Sequence, residues 1–493
     1  MCAEIGTTEE KREVVPPGSS AGEAMMTPSA LKRSVFLSAM GSVIGTFFFA
    51  LLGGNIWNRY LEAVGMINQI DLFMAITAFA SVLQIFGSWA LQRSGKRQLY
   101  FFGLLGLPRT IWFAMITVPL WAPEDQNIRV LILGAMAFVY WVTSGWGSNA
   151  WFSWMRDLVP ERYRGRYWAY RSIMITVVSA TWGLYAGYYL EEMKLSLSAF
   201  EVIYGVGVVC GLLDITCFFW VGHPKMEVKH GEEAGMIRMI KAAMHPKFLK
   251  FIGVLSILWF SSSFEGLAGY YMMRGIGMEI YSMQMLGLFG TCVYVVFGIL
   301  WGFFLDRYGS KATFIIGMTG SILPPFIVML APYYGEVALY AAAAVGTIMS
   351  AALGLSAMNL LCSLSKREDQ AMTVAANSVI AGAVQATGVL MCGRILFPVL
   401  KSIGSHFGYG PLFYAMVIYA IIGVMRIVSG IWSLRMPEVE AKPPAVIAVR
   451  MFYTTNPLRA FYSMGRFLIA KSSDLVHGKS ETSLHPSARW RLG

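Results

Sequence analysis

Charge is what this chain has least of. Asp, Glu, Lys and Arg make up only 14% of its 493 residues, and apolar residues make up 56%. Soluble domains carry about 25% charged residues, so a soluble globular fold is excluded. Histidine is scarce, and all six (His223, His230, His245, His406, His477, His485) fall in loops or tails. Of the six cysteines, Cys210, Cys217, Cys292, Cys362 and Cys392 lie in or beside apolar runs, and Cys2 lies near the start. None shares metal-ligand spacing with a histidine, and no disulfide framework is implied. H-E-x-x-H, the P-loop pattern and G-x-S-x-G are all missing, which leaves zinc-peptidase, ATP-driven and serine-hydrolase chemistry without support. No cofactor, no metal and no enzymatic activity are expected.

What the chain has is long apolar runs. Twelve of them fall near 34–56, 66–91, 98–121, 128–155, 167–190, 198–221, 248–273, 282–305, 312–332, 336–362, 371–400 and 411–434. Each is long enough to cross a bilayer as a helix. They are too long, and alternate too little, for barrel strands. The fifty glycines suit close helix packing in lipid, where small residues let backbones approach. The runs divide the chain into a tail at 1–33, six spans over 34–222, a polar linker at 223–247, six spans over 248–435 and a basic tail at 436–493.

The formal net charge is +11, which in a soluble protein would suggest nucleic acid. The distribution excludes that partner. Seventeen Lys and Arg residues sit in the loops on one side of the spans and five in the loops on the other. This is the positive-inside asymmetry, and it predicts cytoplasmic termini and a cytoplasmic linker. The first thirty residues lack the apolar core and cleavage site of a signal peptide, so a disordered tail is expected there. The linker predicts a short amphipathic helix over 234–244. In the C-terminal tail, Asn456 and Pro457 form a cap and first-turn pair, followed by Leu458, Phe461, Tyr462, Leu468 and Ile469 at helical spacing. That segment reads as a helix lying on the inner leaflet, or as one packed on the protein's own face.

Two turns repeat. Gly302-Phe-Phe-Leu-Asp306-Arg307-Tyr-Gly309-Ser-Lys311 joins the eighth and ninth runs, and Gln92-Arg93-Ser-Gly95-Lys96-Arg97 joins the second and third. The first of these resembles G-x-x-x-D-R-x-G-R/K-R/K, the loop between the second and third spans of major facilitator superfamily transporters. The loop Pro160-Glu-Arg-Tyr-Arg164-Gly165-Arg166 is similar to that superfamily's loop between its fourth and fifth spans. The resemblance covers about residues 33–435. It implies an all-α membrane protein whose twelve transmembrane helices form two pseudo-symmetric six-helix bundles around a central cavity. It also implies a gate in which Asp306 meets Arg164 or Arg166 across the halves, a position where a helix N-terminus also favours an anion. Arg307, Gly309, Lys311, Gly165, Arg93, Gly95 and Lys96 complete the two gate loops. The plainer alternative makes Asp306 and Arg307 topogenic charges. In the first-half copy Gln92 replaces the carboxylate, and Glu368-Asp369-Gln370 replaces the Arg-Gly pair, so the ionic latch is expected on one side only.

Charges inside spans cost about 2.5–3.5 kcal/mol each at the bilayer centre, so each is a functional candidate. Arg109 in the third run and Asp214 in the sixth lie at similar depth, which predicts a structural ion pair. Glu265, beside Ser262 in the seventh run, lies where the superfamily lines its cavity. It can bind a proton or cation there, or pair with Arg394 or Arg59. Trp146 and Asn149 in the fourth run and Asn359 in the tenth can contact a polar solute, or bond helix to helix. Arg171, Arg394 and Arg426 can attract anions, and Arg171 has an alternative role next to the gate loop. The fifth run lacks the Pro and Gly pair that drug–proton antiporters of the superfamily carry, which disfavours multidrug efflux. The expected function is secondary transport of a small polar solute by alternating access, coupled to H⁺ or Na⁺. The partners expected are that solute, the coupling ion and the lipid bilayer, with the protein a monomer in the inner (plasma) membrane. The alternative is a membrane sensor or receptor that kept the fold without transporting.

Overall fold

The structure is a computed structural model, and it describes residues 28–106, 108–224, 244, 246–363 and 370–436. The expected helices at 234–244 and 456–471 lie outside the described residues, apart from Met244. Twelve helices are long and apolar enough to cross a membrane. The first six are Ser29–Ala63, Ile67–Leu91, Arg97–Ile116, Gln126–Leu158, Tyr170–Glu192 and Leu197–Trp220. The second six are Pro246–Gly275, Ile280–Leu305, Ser310–Val328, Glu336–Leu361, Thr373–Phe407 and Pro411–Ser433. Among the described residues there is no strand. The chain is therefore an all-α, multi-pass membrane protein.

The same packing pattern occurs twice. The first span packs on the fifth and sixth, the second on the fourth, and the third on the fourth and sixth. Shifting each number by six gives the second set: the seventh packs on the eleventh and twelfth, the eighth on the tenth, and the ninth on the tenth and twelfth. The two sets meet along two seams, second against eleventh and fifth against eighth. A shift of six exchanges these seams, as pseudo-twofold symmetry requires. We call the side where the sixth span ends and the seventh begins the linker face and the opposite side the far face.

Local sequence explains where the helices deviate. The first span breaks between Phe49 and Gly54, where Gly54 adopts φ +67°, a value that disfavours any side chain. The third span widens over Phe102–Gly106 just before Pro108, whose ring cannot donate to the preceding turn. The eleventh widens over Met391–Leu396, before Pro398. Asp125 caps the fourth span, accepting from the backbone N–H of Asn127 at 2.7 Å and Ile128 at 3.2 Å.

Large apolar side chains such as Leu131, Val209, Val295 and Ile395 stand on the outside. On a soluble surface that many would drive association, whereas against lipid tails they cost nothing. Inside, Trp112 stacks on Tyr204 at 5.7 Å and meets Tyr140 edge-on, fixing the far half of the N-terminal bundle. Each bundle also retains a cavity.

Candidate functional site: two cavities and a seam

The C-terminal bundle holds a cavity of about 560 Å³ between the seventh, ninth, tenth and twelfth spans. Ser262 and Glu265 line it from the seventh span, and Tyr419 and Arg426 from the twelfth. Glu265 is partly exposed to this space and is bonded by Arg426, which is buried. Arg426 also donates to the backbone oxygen of Ser321 at 3.1 Å. Glu265 therefore has an arginine partner on the twelfth span, not Arg394 or Arg59. Depth counted along a sequence does not show which face of a helix a residue occupies, and Arg426 lies on the neighbouring wall.

The N-terminal bundle holds a cavity of about 400 Å³ between the first, third, fourth, fifth and sixth spans. Arg109 Nη2 lies 2.8 Å from Asp214 Oδ2, with both side chains buried. Arg109 also donates to the Gly211 oxygen and lies over Phe48 and Phe49. Gly41 and Gly45 make this possible. A Cβ at Gly45 would come within 2.4 Å of an Asp214 oxygen, and one at Gly41 within 2.9 Å. Arg171, from the fifth span, donates through Nε to Ser42 Oγ at 2.9 Å and stacks on Trp151 with its Cζ 4.4 Å from the ring centre.

The polar residues of the fourth span turn inward on their own bundle. Asn149 Nδ2 donates to Ser88 Oγ at 2.7 Å and to the Gln84 oxygen at 3.1 Å, while its Oδ1 accepts from Gln84 Nε2 at 3.0 Å. Trp146 Nε1 donates to the Leu83 oxygen at 3.0 Å, and its indole fills the space above Gly87. Both tie the fourth span to the second, and neither lines a described cavity. Asn359 is exposed near the linker end of the tenth span, outside the lining of the C-terminal cavity.

Contacts the sequence did not suggest hold the halves together at the far face. Glu62, at the end of the first span, accepts from Arg274 Nε at 2.9 Å and Tyr270 Oη at 2.8 Å, both on the seventh. Arg59 binds the same carboxylate at 2.9 Å and donates across the seam to the Met278 oxygen at 3.1 Å. Asp71, buried in the first turn of the second span, lies 2.8 Å from Arg394 Nε on the eleventh, and Arg394 also bonds Gln69. Glu191 accepts from the backbone N–H of Tyr281 at 2.8 Å. Gly393 lets Asp71 fit, since a Cβ there would sit 2.3 Å from the Asp71 Cβ.

At the linker face, the two repeated turns both use a glycine in the positive-φ region, Gly95 at φ +63° and Gly309 at φ +86°. Arg93 lies over Trp89, Arg307 lies over Tyr308, and Lys96 is exposed, while Lys311 is partly buried. Gly165 lies in the first turns of the helix Glu161–Glu192. The side chains of Asp306, Arg164 and Arg166 lie outside the described residues. The described charge contacts here centre on Asp157, which pairs with Arg97 and, at 3.2 Å, with Arg156; Arg97 also donates to Ser153 at 3.2 Å and to the Pro224 oxygen at 3.3 Å. It ties the start of the third span to the ends of the fourth and sixth. Burial, and next to it the Arg97 charge, hold the nearby His223 below its ordinary pKa.

No protein-family model and no curated protein sequence matches the chain. Solved structures do. The nucleoside transporter NupG is similar at 12% identity and TM-score 0.60, over 83% of this chain and 100% of that one. A D-xylose-proton symporter is similar at 15% identity and TM-score 0.60, over 84% and 99%. An auto-inhibited POT family peptide transporter is similar at 12% identity and TM-score 0.57, over 85% and 99%. The chain has the fold these transporters share, that of the major facilitator superfamily.

Proposed function

We propose that the protein is a secondary transporter that moves a small polar solute across the membrane by alternating access. The observation that carries this reading is the far-face seam. The halves are joined there by ionic contacts that can break without unfolding either bundle, and each bundle keeps a cavity with a charged pair in its wall. Hinged halves around fixed sites are the construction of alternating access. The protein similar to this one and named a D-xylose-proton symporter adds weight to H⁺ as the driving ion, with Na⁺ the alternative. Glu265 is the candidate coupling carboxylate, because protonation would release Arg426. Ser262 beside it, and Asn359 nearer the linker face, are solute candidates. The bonds of Asn149 and Trp146 to the second span support a role in positioning the fourth span rather than in holding the solute. Asp306 with Arg164 or Arg166 would form the opposing latch at the linker face. The linker and both termini face the cytoplasm, in the plasma membrane, and one chain suffices.

Purified protein in proteoliposomes tests this. Vesicles with an imposed pH gradient should accumulate at least one solute from a defined mixture of sugars, nucleosides, amino acids and organic acids. A protonophore should abolish accumulation while counterflow persists. Solute binding without flux in any gradient would instead identify a sensor on the same fold.

A further inference from the structure

We infer that the N-terminal cavity binds the carboxylate of a small hydroxy acid, with Arg171 as the residue that holds it. The inference deepens the transport reading and rests on it. The cavity wall carries Arg109, Arg171 and Asp214. Arg109 and Asp214 neutralise each other at 2.8 Å. Among the described residues no carboxylate lies within ion-pair distance of Arg171, and Asp214, whose charge acts on both arginines, is the one carboxylate in the described lining, so two cations face one anion. The C-terminal cavity differs, because Glu265 and Arg426 balance there. Arg394, the third arginine able to attract an anion, is balanced by Asp71. A charge held among apolar walls is costly until it is paired, and a monoanionic solute would pair it.

The hydrogen-bonding inventory narrows the class. Arg171 spends Nε on Ser42, and its guanidinium plane is fixed by Trp151 and by Trp168, at 5.5 Å. The two terminal amino groups keep four N–H donors, the fork that matches a carboxylate. Of the four hydroxyls that line the cavity, three have their hydrogens committed, and Ser179 lies about two turns along the helix from Arg171. Ser42 donates to the Ser38 oxygen at 2.9 Å, Thr46 to the Ser42 oxygen at 2.8 Å, and Ser148 to the Ser144 oxygen at 2.7 Å. Toward the cavity Thr46 and Ser148 therefore present lone pairs, and a ligand must bring O–H donors to meet them. A phosphate ester carries about −1.5 to −2 at neutral pH, more than the single charge available. A zwitterionic amino acid brings a second cation into a wall that is already positive. A hydroxy acid fits both counts.

The test uses the purified full-length protein and hydroxy acids of graded length, from glycerate to gluconate, each against its neutral amide, with glucose 6-phosphate as the dianion. At least one acid should raise the thermal unfolding midpoint saturably, and its amide and the phosphate ester should not. Arg171→Gln should weaken that binding by about tenfold or more, the loss expected for a charge-assisted hydrogen bond. Arg171→Lys, which keeps the charge and loses the fork, should fall between. The ligand-free midpoints of both variants report folding, so weakened binding by an unfolded variant does not count as support. No response to any acid, equal response to the amides, tighter binding of the phosphate ester, or undiminished binding by folded Arg171→Gln overturns the assignment. Flux separates the two levels. A neutral solute carried equally well by the Arg171→Gln variant contradicts the carboxylate site and leaves transport standing. Arg171-dependent acid binding without flux contradicts transport and leaves the site.

Discussion

Replacing Glu62 with Gln tests whether the far-face contacts act as a latch. In the closed arrangement one carboxylate carries two bonds across the halves, from Arg274 and Tyr270. Arg274 is 47% exposed, so its ion pair is worth only about 0–1 kcal/mol. The Tyr270 bond to a charged acceptor is worth about 1.5–3 kcal/mol, and an amide oxygen in its place retains about 1. The net loss of closure is therefore about 0.5–3 kcal/mol, which raises the far-open population roughly 2–140-fold at tenfold per 1.4 kcal/mol. The reporter is already in the chain. Cys392 is fully buried on the eleventh span, two residues from Arg394. With the other cysteines replaced, an impermeant thiol reagent modifies Cys392 only from the opened state, so its rate follows that population. Glu192→Gln removes the same charge from an exposed far-face residue whose described bond, with Tyr188, stays within its own helix. We expect the Glu62→Gln rate to rise within the range above and the Glu192→Gln rate to stay at the wild-type value. Equal rates in all three proteins, or an equal rise in both variants, would refute the latch.

Glu265→Gln should retain counterflow but lose accumulation against a gradient. Because it strips buried Arg426 of its counter-charge, it should also lower the unfolding midpoint. Adding Arg426→Gln should recover stability without recovering accumulation, and wild-type accumulation in either variant rejects coupling through Glu265. Asp306→Asn should release the linker-face latch, raise thiol accessibility at cysteines introduced near Ser94 and slow transport. Unchanged accessibility together with unchanged transport removes that gate. Gly45→Ala drives a methyl group into Asp214 and should cost at least about 1–3 kcal/mol as overpacking, read as a lowered unfolding midpoint. Gly53→Ala meets nothing within 4 Å and should leave the midpoint unchanged.

The spans were legible because a bilayer imposes a length and a composition that few other environments do. Glycine and proline interrupt the helices inside the spans, as at Gly54 and Pro108, and the eleventh span runs past its expected end to Phe407. The paired turns at Gly95 and Gly309 could be read because only glycine tolerates their backbone at low cost. The meeting of Arg109 and Asp214 was readable from matched depth in two spans of one bundle. The contacts across the halves were not. Asp71 and Arg394 stand 323 residues apart, and each alone resembles an ordinary span-end charge. Glu62 falls between two expected spans, and only the fold sets Tyr270 and Arg274 beside it. Trp146 and Asn149 show a further limit. Solute binding and helix-to-helix bonding use the same side chains, and the bonds to Leu83, Gln84 and Ser88 become visible only in the structure.

Alternating access is the claim on which the rest depends, and distances measured at both faces of one protein test it most directly. Spin labels at Glu124 and Tyr333 would report the separation of the halves at the far face. A second pair, at Ser94 and Ser363, would report it at the linker face. Pulsed dipolar spectroscopy in nanodiscs should find a short far-face distance dominant in wild type. Glu62→Gln should lengthen the far-face distance and shorten the linker-face distance in the same fraction of molecules. Distances that stay single-valued in both proteins, or that lengthen together at the two faces, would contradict the account.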